Sequence, residues 1–361
     1  MKTPIPYSDD LETISADEGD TIRELNATFD TILERVAEDE GHAYRSVHAK
    51  SHALLAATMT IPGDLPPEYA QGIFATPGDH DVIMRVSTNP GDLLDDAVSV
   101  PRGMAIKVLN VQGPRLPGSE DARSQDFVMA NGPAFSAPDA QAFLSTLKLL
   151  ARTTDRVEWA KKLLSKTLRG VQSVLTATTG ASSTLNALGG APNTHPLGET
   201  YYTQTPYRFG AHVAKLQLVP VSETLTALTG RTIDASGRPD ALRKEIDIVT
   251  RNTLCRWELR AQLCRDPDRQ PLEDATKPWD EAMSPFRTVA ILQAAAQPGW
   301  SETRARNVDD GMRFSPWNGI AAHRPMGSIN RARKATYLHS ARFRERVNGC
   351  PIHDPRAARL D

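Results

Sequence analysis

The stretch Asn330-Arg-Ala-Arg-Lys-Ala-Thr-Tyr-Leu-His-Ser-Ala-Arg-Phe-Arg-Glu-Arg346 is the most informative part of the chain. If it is helical, Arg333 lies four residues before Tyr337 and Arg344 seven after it, so the three side chains share one stripe. A nearby cation favours the phenolate form of a tyrosine, whose pKa is ordinarily about 10. A phenolate is among the few side chains that can serve as an axial ligand of ferric haem. The spacing therefore indicates a haem-ligand helix; the alternative is a solvated basic helix with one half-buried tyrosine.

The composition is that of an ordinary globular protein. The chain has 361 residues, of which 40% are hydrophobic and 24% charged, with a formal net charge of −2. This length allows one large domain or two of average size, and the small net charge gives no drive toward nucleic acid. Three cysteines without a CxxC pair favour a reduced, cytoplasmic setting. No apolar run approaches the roughly 20 residues that span a bilayer, so we expect no stable membrane insertion.

The first 40 residues are predicted to form an N-terminal arm with an amphipathic helix. Residues 1–16 are expected to be a flexible lead-in. From residue 17 to about residue 40, apolar residues follow helical spacing: Ile22, Leu25, Phe29, Ile32, Leu33 and Val36. The helix either packs on its own domain or serves as a docking or oligomer-forming element. Further helices are predicted over residues 139–152 and 155–176, and a loop over residues 177–200.

Seven runs have the character of β-strands. They cover residues 54–61, 82–88, 103–111, 126–130, 211–219, 254–263 and 287–292. In the sixth run, Cys255 and Trp257 alternate with Arg256 and Glu258, which is typical of a strand with one buried face. Seven or more strands flanked by helices predict an antiparallel barrel or a bent sheet with helical additions.

Several short motifs follow one another in a particular order. They are Arg45-Ser-Val-His-Ala-Lys50, Arg85-Val-Ser-Thr88, Pro101-Arg-Gly-Met-Ala-Ile-Lys107, Asp126-Phe-Val-Met-Ala-Asn-Gly-Pro-Ala-Phe135 and Phe314-Ser-Pro-Trp-Asn318. Phe143 follows Pro133 by ten residues, and the Tyr337 helix comes last. In this order, from about residue 42 to residue 347, the chain resembles the haem catalases. The resemblance implies an α+β fold with an antiparallel β-barrel of about eight strands and flanking helices. It also implies that residues 41–361 form a single haem-binding domain.

The resemblance implies haem b as the cofactor. Tyr337 would be the axial ligand and the metal-binding residue, and Arg333 would donate a hydrogen bond that keeps it ionised. The other expected haem contacts are Arg45, Arg85 and Arg344 at the propionates, with Val47, Thr88, Val128 and Phe143 around the ring.

The resemblance assigns catalysis to His48, Ser87 and Asn131. His48 would move a proton from one peroxide oxygen to the other, so that the O–O bond breaks heterolytically. Ser87 would fix the imidazole tautomer. In a register without gaps, the distal asparagine of the family aligns with Ala130. Asn131 is offset by one residue, which turns its side chain to the other face of a strand unless a bulge intervenes.

The activity that the resemblance implies is that of a haem-dependent oxidoreductase acting on hydroperoxides. It would be a catalase, converting H₂O₂ to water and O₂, or a peroxidase. One alternative is a fatty-acid hydroperoxide lyase or isomerase similar to the catalase-related allene oxide synthases; Val47, where those tend to have threonine, argues modestly against it. Another is a non-catalytic haem-binding protein. The expected partner is a small-molecule peroxide or lipid hydroperoxide, and assembly into a homo-oligomer stays open.

Overall fold

The computed structural model describes residues 2–151 and 193–361, and it contains a closed antiparallel barrel. The strands are β1 Ser51–Ile61, β2 Gly78–Thr88, β3 Arg102–Val108, β4 Gln125–Ala130, β5 Tyr201–Tyr202, β6 Tyr207–Phe209, β7 His212–Pro220, β8 Cys255–Leu263 and β9 Arg287–Ala294. Their order in the sheet is β5-β4-β3-β2-β1-β9-β8-β7-β6. An additional pairing of β5 with β7 closes eight strands into a ring, and β6 extends the sheet beyond β7. The predicted α+β barrel is confirmed.

All seven predicted strands are present. Successive side chains along each strand point alternately to an inner and an outer face of the barrel. The barrel interior contains Met84, Met104 and Phe127, one from each of β2, β3 and β4. Their neighbours Arg85, Ala105 and Val128 pair with one another across the same strands and lie on the outer face. Helices and loops cover this outer face, and the candidate site lies there.

Six α-helices accompany the barrel in the described ranges. They are α1 Glu18–Glu40, α2 Ala140–Ala151, α3 Glu223–Thr226, α4 Ala241–Asn252, α5 Glu302–Arg304 and α6 Ser328–Asn348. A π-helical turn, Ala305–Asp310, directly follows α5. None of these helices is long and apolar enough to cross a membrane.

Helices α1, α2 and α6 pack against one another through an apolar cluster. Leu25 and Phe29 of α1 contribute to it together with Leu144 of α2 and Ala332 of α6. Of the two interpretations of the N-terminal helix, packing on its own chain is therefore confirmed, as is the helix predicted at residues 139–152. The helix predicted at residues 155–176, and the predicted loop as far as residue 192, fall outside the described residues.

Residues 2–16 lie against the barrel, so the prediction of a flexible lead-in was wrong. The backbone N–H of Ile5 donates to the carbonyl of Cys264 at 2.9 Å, and that of Tyr7 to Ala211 at 2.8 Å. Ile5, Tyr7 and Leu11 pack on the cluster that contains Trp279 and Met326. Three apolar side chains spaced through an otherwise polar segment are sufficient to dock it.

The first turn of α6 is held by carboxylates from other segments. Glu12 accepts the backbone N–H of Gly327 at 2.8 Å, and Glu273 accepts that of Ser328 at 2.8 Å. Arg331, in the same turn, forms ion pairs with Glu12 at 2.6 Å, Glu18 at 2.8 Å and Glu273 at 2.9 Å. Acidic groups at a helix N-terminus satisfy free backbone N–H groups and favour the helix dipole. The arm and the start of α1 thereby fix the beginning of the helix that carries Tyr337.

Candidate functional site

His48 lies on the outer face of the barrel, just before β1. Its φ of +56° is uncommon for a residue with a side chain, and its N–H donates to the carbonyl of Asn89 at 2.7 Å. The Nδ1 atom lies 3.1 Å from Oγ of Ser87. Gly103, which pairs with Ser87 across β2 and β3, leaves the space for the ring: a Cβ at Gly103 would lie 2.5 Å from Nδ1. These contacts fix the ring through Nδ1 and leave Nε2 as the nitrogen for a substrate.

The surroundings keep His48 neutral. Burial lowers the pKa of His48 to about 3, and the positive charges of Arg85, Arg333 and Arg45 add to the effect. The imidazole is therefore unprotonated at neutral pH and can accept a proton.

Three arginines converge on Asp309, which the π-helical turn presents. Arg85 Nε donates to Oδ1 of Asp309 at 2.6 Å, and Arg45 Nη1 donates to the same oxygen at 2.9 Å. Arg344 donates to the backbone carbonyl of Asp309. Burial would raise the pKa of Asp309, but the Arg85 and Arg45 cations lower it below its usual value. Ser51 completes the carboxylate's contacts by donating to Oδ2 at 2.6 Å.

Three guanidinium groups meet two carboxylates here, because Asp310 also lies close enough to favour the charged forms of Arg45 and Arg344. Burial, with the repulsion of Arg85 and Arg344, lowers the pKa of Arg45 well below its usual value. Burial also lowers the pKa of Arg344 to about 10. The buried Nε of Arg344 has no hydrogen-bond partner within the described ranges. Since buried charges require counter-charges, this cluster fits a ligand that carries acidic groups.

Tyr337 belongs to the stripe of α6 that faces the segment around His48. The N–H of Ser46 donates to Oγ of Ser340 at 3.1 Å, and Arg45 and Arg344 both donate to the carbonyl of Met312, at 3.0 and 3.2 Å. Residues three and seven apart share a helix face, so Tyr337 lies on the stripe of Ser340 and Arg344. Tyr337 is half-buried, and within residues 2–151 and 193–361 its hydroxyl forms no hydrogen bond.

Arg333 lies one turn before Tyr337 but is bound elsewhere. Its Nη1 donates to Oδ1 of Asn330 at 3.1 Å and to Oγ1 of Thr205 at 3.4 Å. Its guanidinium carbon is 5.5 Å from the centre of the Phe135 ring. The structure therefore shows no hydrogen bond from Arg333 to Tyr337, because nearer oxygens accept from the guanidinium.

Two of the predicted haem-contact residues pack on one apolar cluster. Val47 and Phe143 are partly buried against the cluster that includes Ala332 of α6. Phe135 contacts Phe143, with ring centres 5.2 Å apart and planes inclined by 58°. The sequence analysis did not include Phe135 among the site residues, although this residue ends one of the motifs on which the resemblance rests.

Two of the predicted site residues are directed away from His48. Oδ1 of Asn131 accepts the backbone N–H of Arg102 at 2.8 Å, and Oγ1 of Thr88 lies 3.2 Å from Nε2 of His52. Val128 packs with Phe314 on the outer face. The structure thus brings together His48, Ser87 and the arginines, whereas Asn131 serves the backbone. In the described part of the chain, no group of three or more His, Cys, Asp or Glu residues could hold a metal ion.

A scan against protein-family models and a search of curated protein sequences each give no match. Solved structures do match. Catalase A from Saccharomyces cerevisiae superposes with a TM-score of 0.59 at 17% identity, over 95% of this chain and 67% of that one. A fungal catalase gives 0.56 at 18% identity, over 89% and 65% of the two chains. A bacterial catalase gives 0.57 at 15% identity, over 90% and 63%.

These matches show that the chain has the catalase fold, a closed antiparallel barrel with helices packed outside it. The chain spans about two-thirds of the length of the catalases it matches, between 63% and 67%. At identities of 15–18% the likeness defines the fold, and any activity has to be argued from the site.

Proposed function

We propose that this protein is a haem-dependent oxidoreductase that cleaves hydroperoxides as a catalase, a peroxidase or both. The observation that carries the proposal is the neutral imidazole of His48, which Ser87 holds on the outer face of a catalase barrel. The stripe of α6 that bears Tyr337 faces the same segment.

The residues of the site fit haem b. Tyr337 would be its axial ligand, since the phenol is otherwise unpartnered among described residues. Arg45, Arg85 and Arg344 would bind the propionates, which would balance the positive charge that Asp309 and Asp310 leave. Val47 and Phe143 would contact the ring face. When bound, haem would supply ferric iron as the peroxide-binding and redox centre.

The protein's own contribution is proton transfer. The peroxide O–H donates its proton to Nε2 of His48, while Ser87 holds Nδ1 and keeps the ring in place. The imidazolium then gives the proton to the oxygen that leaves, so that the O–O bond breaks without developing an unprotonated leaving group. Because burial lowers the pKa of His48, the imidazolium holds the proton only briefly before it passes to the leaving oxygen. Transfer by a positioned group of this kind contributes about 10²–10⁴-fold to a rate.

A second candidate function is haem binding without catalysis, as in storage or sensing. It is favoured by Asn131, whose amide oxygen accepts the N–H of Arg102 and so does not assist at His48.

We also propose a cytoplasmic setting, because Cys255, Cys264 and Cys350 are all free thiols.

The test is the optical spectrum of the protein after reconstitution with haem, followed by addition of H₂O₂ or an organic hydroperoxide. We expect a ferric haem spectrum that is lost or altered in Tyr337→Phe and kept in the control Tyr202→Phe, a half-buried tyrosine on β5. Cleavage of peroxide that disappears in His48→Ala would support the enzyme. If wild type and His48→Ala both show the haem spectrum and neither cleaves peroxide, the result would favour the non-catalytic haem-binding protein. Failure to bind haem would refute both.

A further inference from the structure

Trp300 is joined to Asp309 by a chain of two hydrogen bonds. Its indole N–H donates to Oγ of Ser51 at 3.0 Å, and Ser51 donates to Oδ2 of Asp309 at 2.6 Å. The other carboxylate oxygen accepts from Arg85 and Arg45, at 2.6 and 2.9 Å. The Trp300 ring is half-buried, so part of it remains accessible. A partly exposed aromatic ring is therefore connected to the arginines that we propose bind haem propionates.

The chain of donors runs from the indole to a carboxylate. An indole N–H only donates, a hydroxyl both accepts and donates, and an ionised carboxylate only accepts. Burial would raise the pKa of Asp309, but the Arg85 and Arg45 cations lower it, so this carboxylate is ionised. A proton that leaves Trp300 can therefore move to Ser51 while the Ser51 proton moves to Asp309.

Arg243 lies over the face of the Trp300 ring. Its guanidinium carbon is 4.0 Å from the ring centre, and its Nε donates to the carbonyl of Ser51 at 2.8 Å. A cation at this distance is attracted to the neutral ring but repels a positive charge on an oxidised ring. Loss of an electron from Trp300 is therefore favoured when its N–H proton leaves as well, and Ser51 is placed to receive that proton.

Trp317 resembles Trp300 in exposure but lacks the proton path. It is the other half-buried tryptophan in the described ranges, and Nζ of Lys334 lies 4.9 Å from its ring centre. Its N–H donates to the backbone carbonyl of Asn330 at 2.6 Å. A carbonyl oxygen has no proton to pass on, so the chain of donors ends there. The two tryptophans therefore form a matched pair for a test.

We propose that Trp300 is the residue at which a phenolic donor delivers electrons, so that this donor does not have to reach His48. The inference rests on the proposed function. Cleavage of a hydroperoxide, ROOH, takes up two electrons and two protons and yields ROH and water. Trp300 supplies these electrons one at a time, and each time its N–H proton moves to Ser51 as Ser51 protonates Asp309.

A phenol, ArOH, then reduces the oxidised indole. It gives one electron to Trp300 and one proton to the solvent, and it becomes the radical ArO•. The proton held by Asp309 returns through Ser51, and the carboxylate regains its charge. Two phenols complete the reduction, and the two protons that they release balance the two taken up with the peroxide.

The experiment uses the haem-loaded full chain, cumene hydroperoxide and tyramine-substituted dextran, a polymer whose phenol groups act at the protein surface. Trp300→Phe keeps a ring beneath Arg243 but removes the oxidisable indole and its N–H. We expect it to lower the rate of phenol oxidation by at least about tenfold. Trp317→Phe is the control and should match wild type. Equal rates in the two variants would overturn the inference while leaving peroxide cleavage intact.

A second readout requires neither haem nor turnover. Flash photo-oxidation of the haem-free full chain by a ruthenium tris-bipyridine complex produces indole radicals, and the absorption lost in Trp300→Phe isolates the signal of Trp300. We expect a neutral radical in wild type and a longer-lived radical cation in Ser51→Ala, which keeps the indole but breaks the proton path. The same radical at the same rate in both proteins would contradict the proposed proton transfer.

Two further outcomes are decisive. If phenol oxidation in Trp300→Phe falls only as far as its haem content falls, Trp300 acts by placing Asp309, and the inference is wrong. If wild type binds no haem or cleaves no peroxide, the proposed function itself is refuted, and the inference with it.

Discussion

The Nε atom of Arg85 and the Nη1 atom of Arg45 donate to one oxygen of Asp309, at 2.6 and 2.9 Å. Asp309 owes this position to a π-helical turn, whose wider spacing carries it between the two guanidinium groups. Such turns are frequent at functional sites. The carboxylate is thus a permanent counter-charge within a site that we propose binds two further carboxylates.

Replacing Asp309 by asparagine should destabilise the protein without haem. The change leaves the buried Arg45 and Arg85 cations without their common anion, and breaking a buried pair costs about 3–5 kcal/mol. Urea unfolding would measure the free-energy difference from wild type. Asp64→Asn, at an exposed loop position, is the control and should stay within about 0.5 kcal/mol. A loss below about 1 kcal/mol for Asp309→Asn would contradict the assigned role.

The unfolding free energy should depend on pH through His48. Its pKa is about 3 when folded, against about 6.5 in an unfolded chain, so between these values the unfolded state binds more protons. The protein therefore loses stability as pH falls from about 6.5 toward 3, and this group has no effect above that window. Between pH 6 and pH 4, the free energy of unfolding of His48→Gln should fall by roughly 2 kcal/mol less than that of wild type. Parallel stability curves for the variant and wild type would show that the imidazole titrates normally.

Gly103→Ala should lower the rate of peroxide cleavage to a greater extent than it lowers the free energy of unfolding. The new Cβ would lie 2.5 Å from Nδ1 and Cε1 of His48, so the ring has to shift from its contact with Ser87. Misplacing a catalytic group by about 1 Å can cost roughly 10²-fold in rate. Single-turnover peroxide cleavage would measure this. Gly63→Ala is the control, because its Cβ meets Pro77 at an ordinary 3.7 Å. Equal rates for both variants would argue against a constrained imidazole.

Arg331→Ala should destabilise α6 and the docked N-terminal segment together. The guanidinium pairs with Glu12, Glu18 and Glu273, and its side chain is only 9% exposed. Removing one partner from such a buried group costs about 3–5 kcal/mol. Lys148→Ala breaks an exposed pair with Glu24, with side chains 48% and 56% exposed, and should cost less than about 1 kcal/mol. Thermal unfolding and limited proteolysis near residue 12 would compare the two variants.

The sequence was sufficient to predict the long strands, because alternation along them reports the buried face directly. It was insufficient for β5 Tyr201–Tyr202, since two residues cannot show a period, yet this strand closes the ring. Helix α4 was missed although Leu242, Ile246 and Val249 follow helical spacing and Asp240, a residue type favoured at helix starts, directly precedes it.

Short motifs were sufficient to single out His48 and Ser87, whose side chains the structure places 3.1 Å apart, but their roles stay predictions. The arginines were expected at haem propionates, and the structure shows Arg45 and Arg85 on the carboxylate of Asp309. The position of Asn131 depended on register, where one residue decides the face, and the structure turns it to Arg102. Asp309 was not predicted because its role arises from a local π-helical turn and from contacts with arginines more than 200 positions away.

The shortness of β5 makes the barrel unequal around its circumference. Most neighbouring strands are joined by long ladders, but β4 reaches β7 only through the two residues of β5. The ring accordingly has a seam, along which it can part while every long ladder stays intact. Local opening should begin there, where amide hydrogens would exchange first. Ala130 pairs with Tyr202 at this seam and with Gly103, above which the His48 ring lies, so the most easily opened edge of the barrel adjoins the strand pair that holds this imidazole.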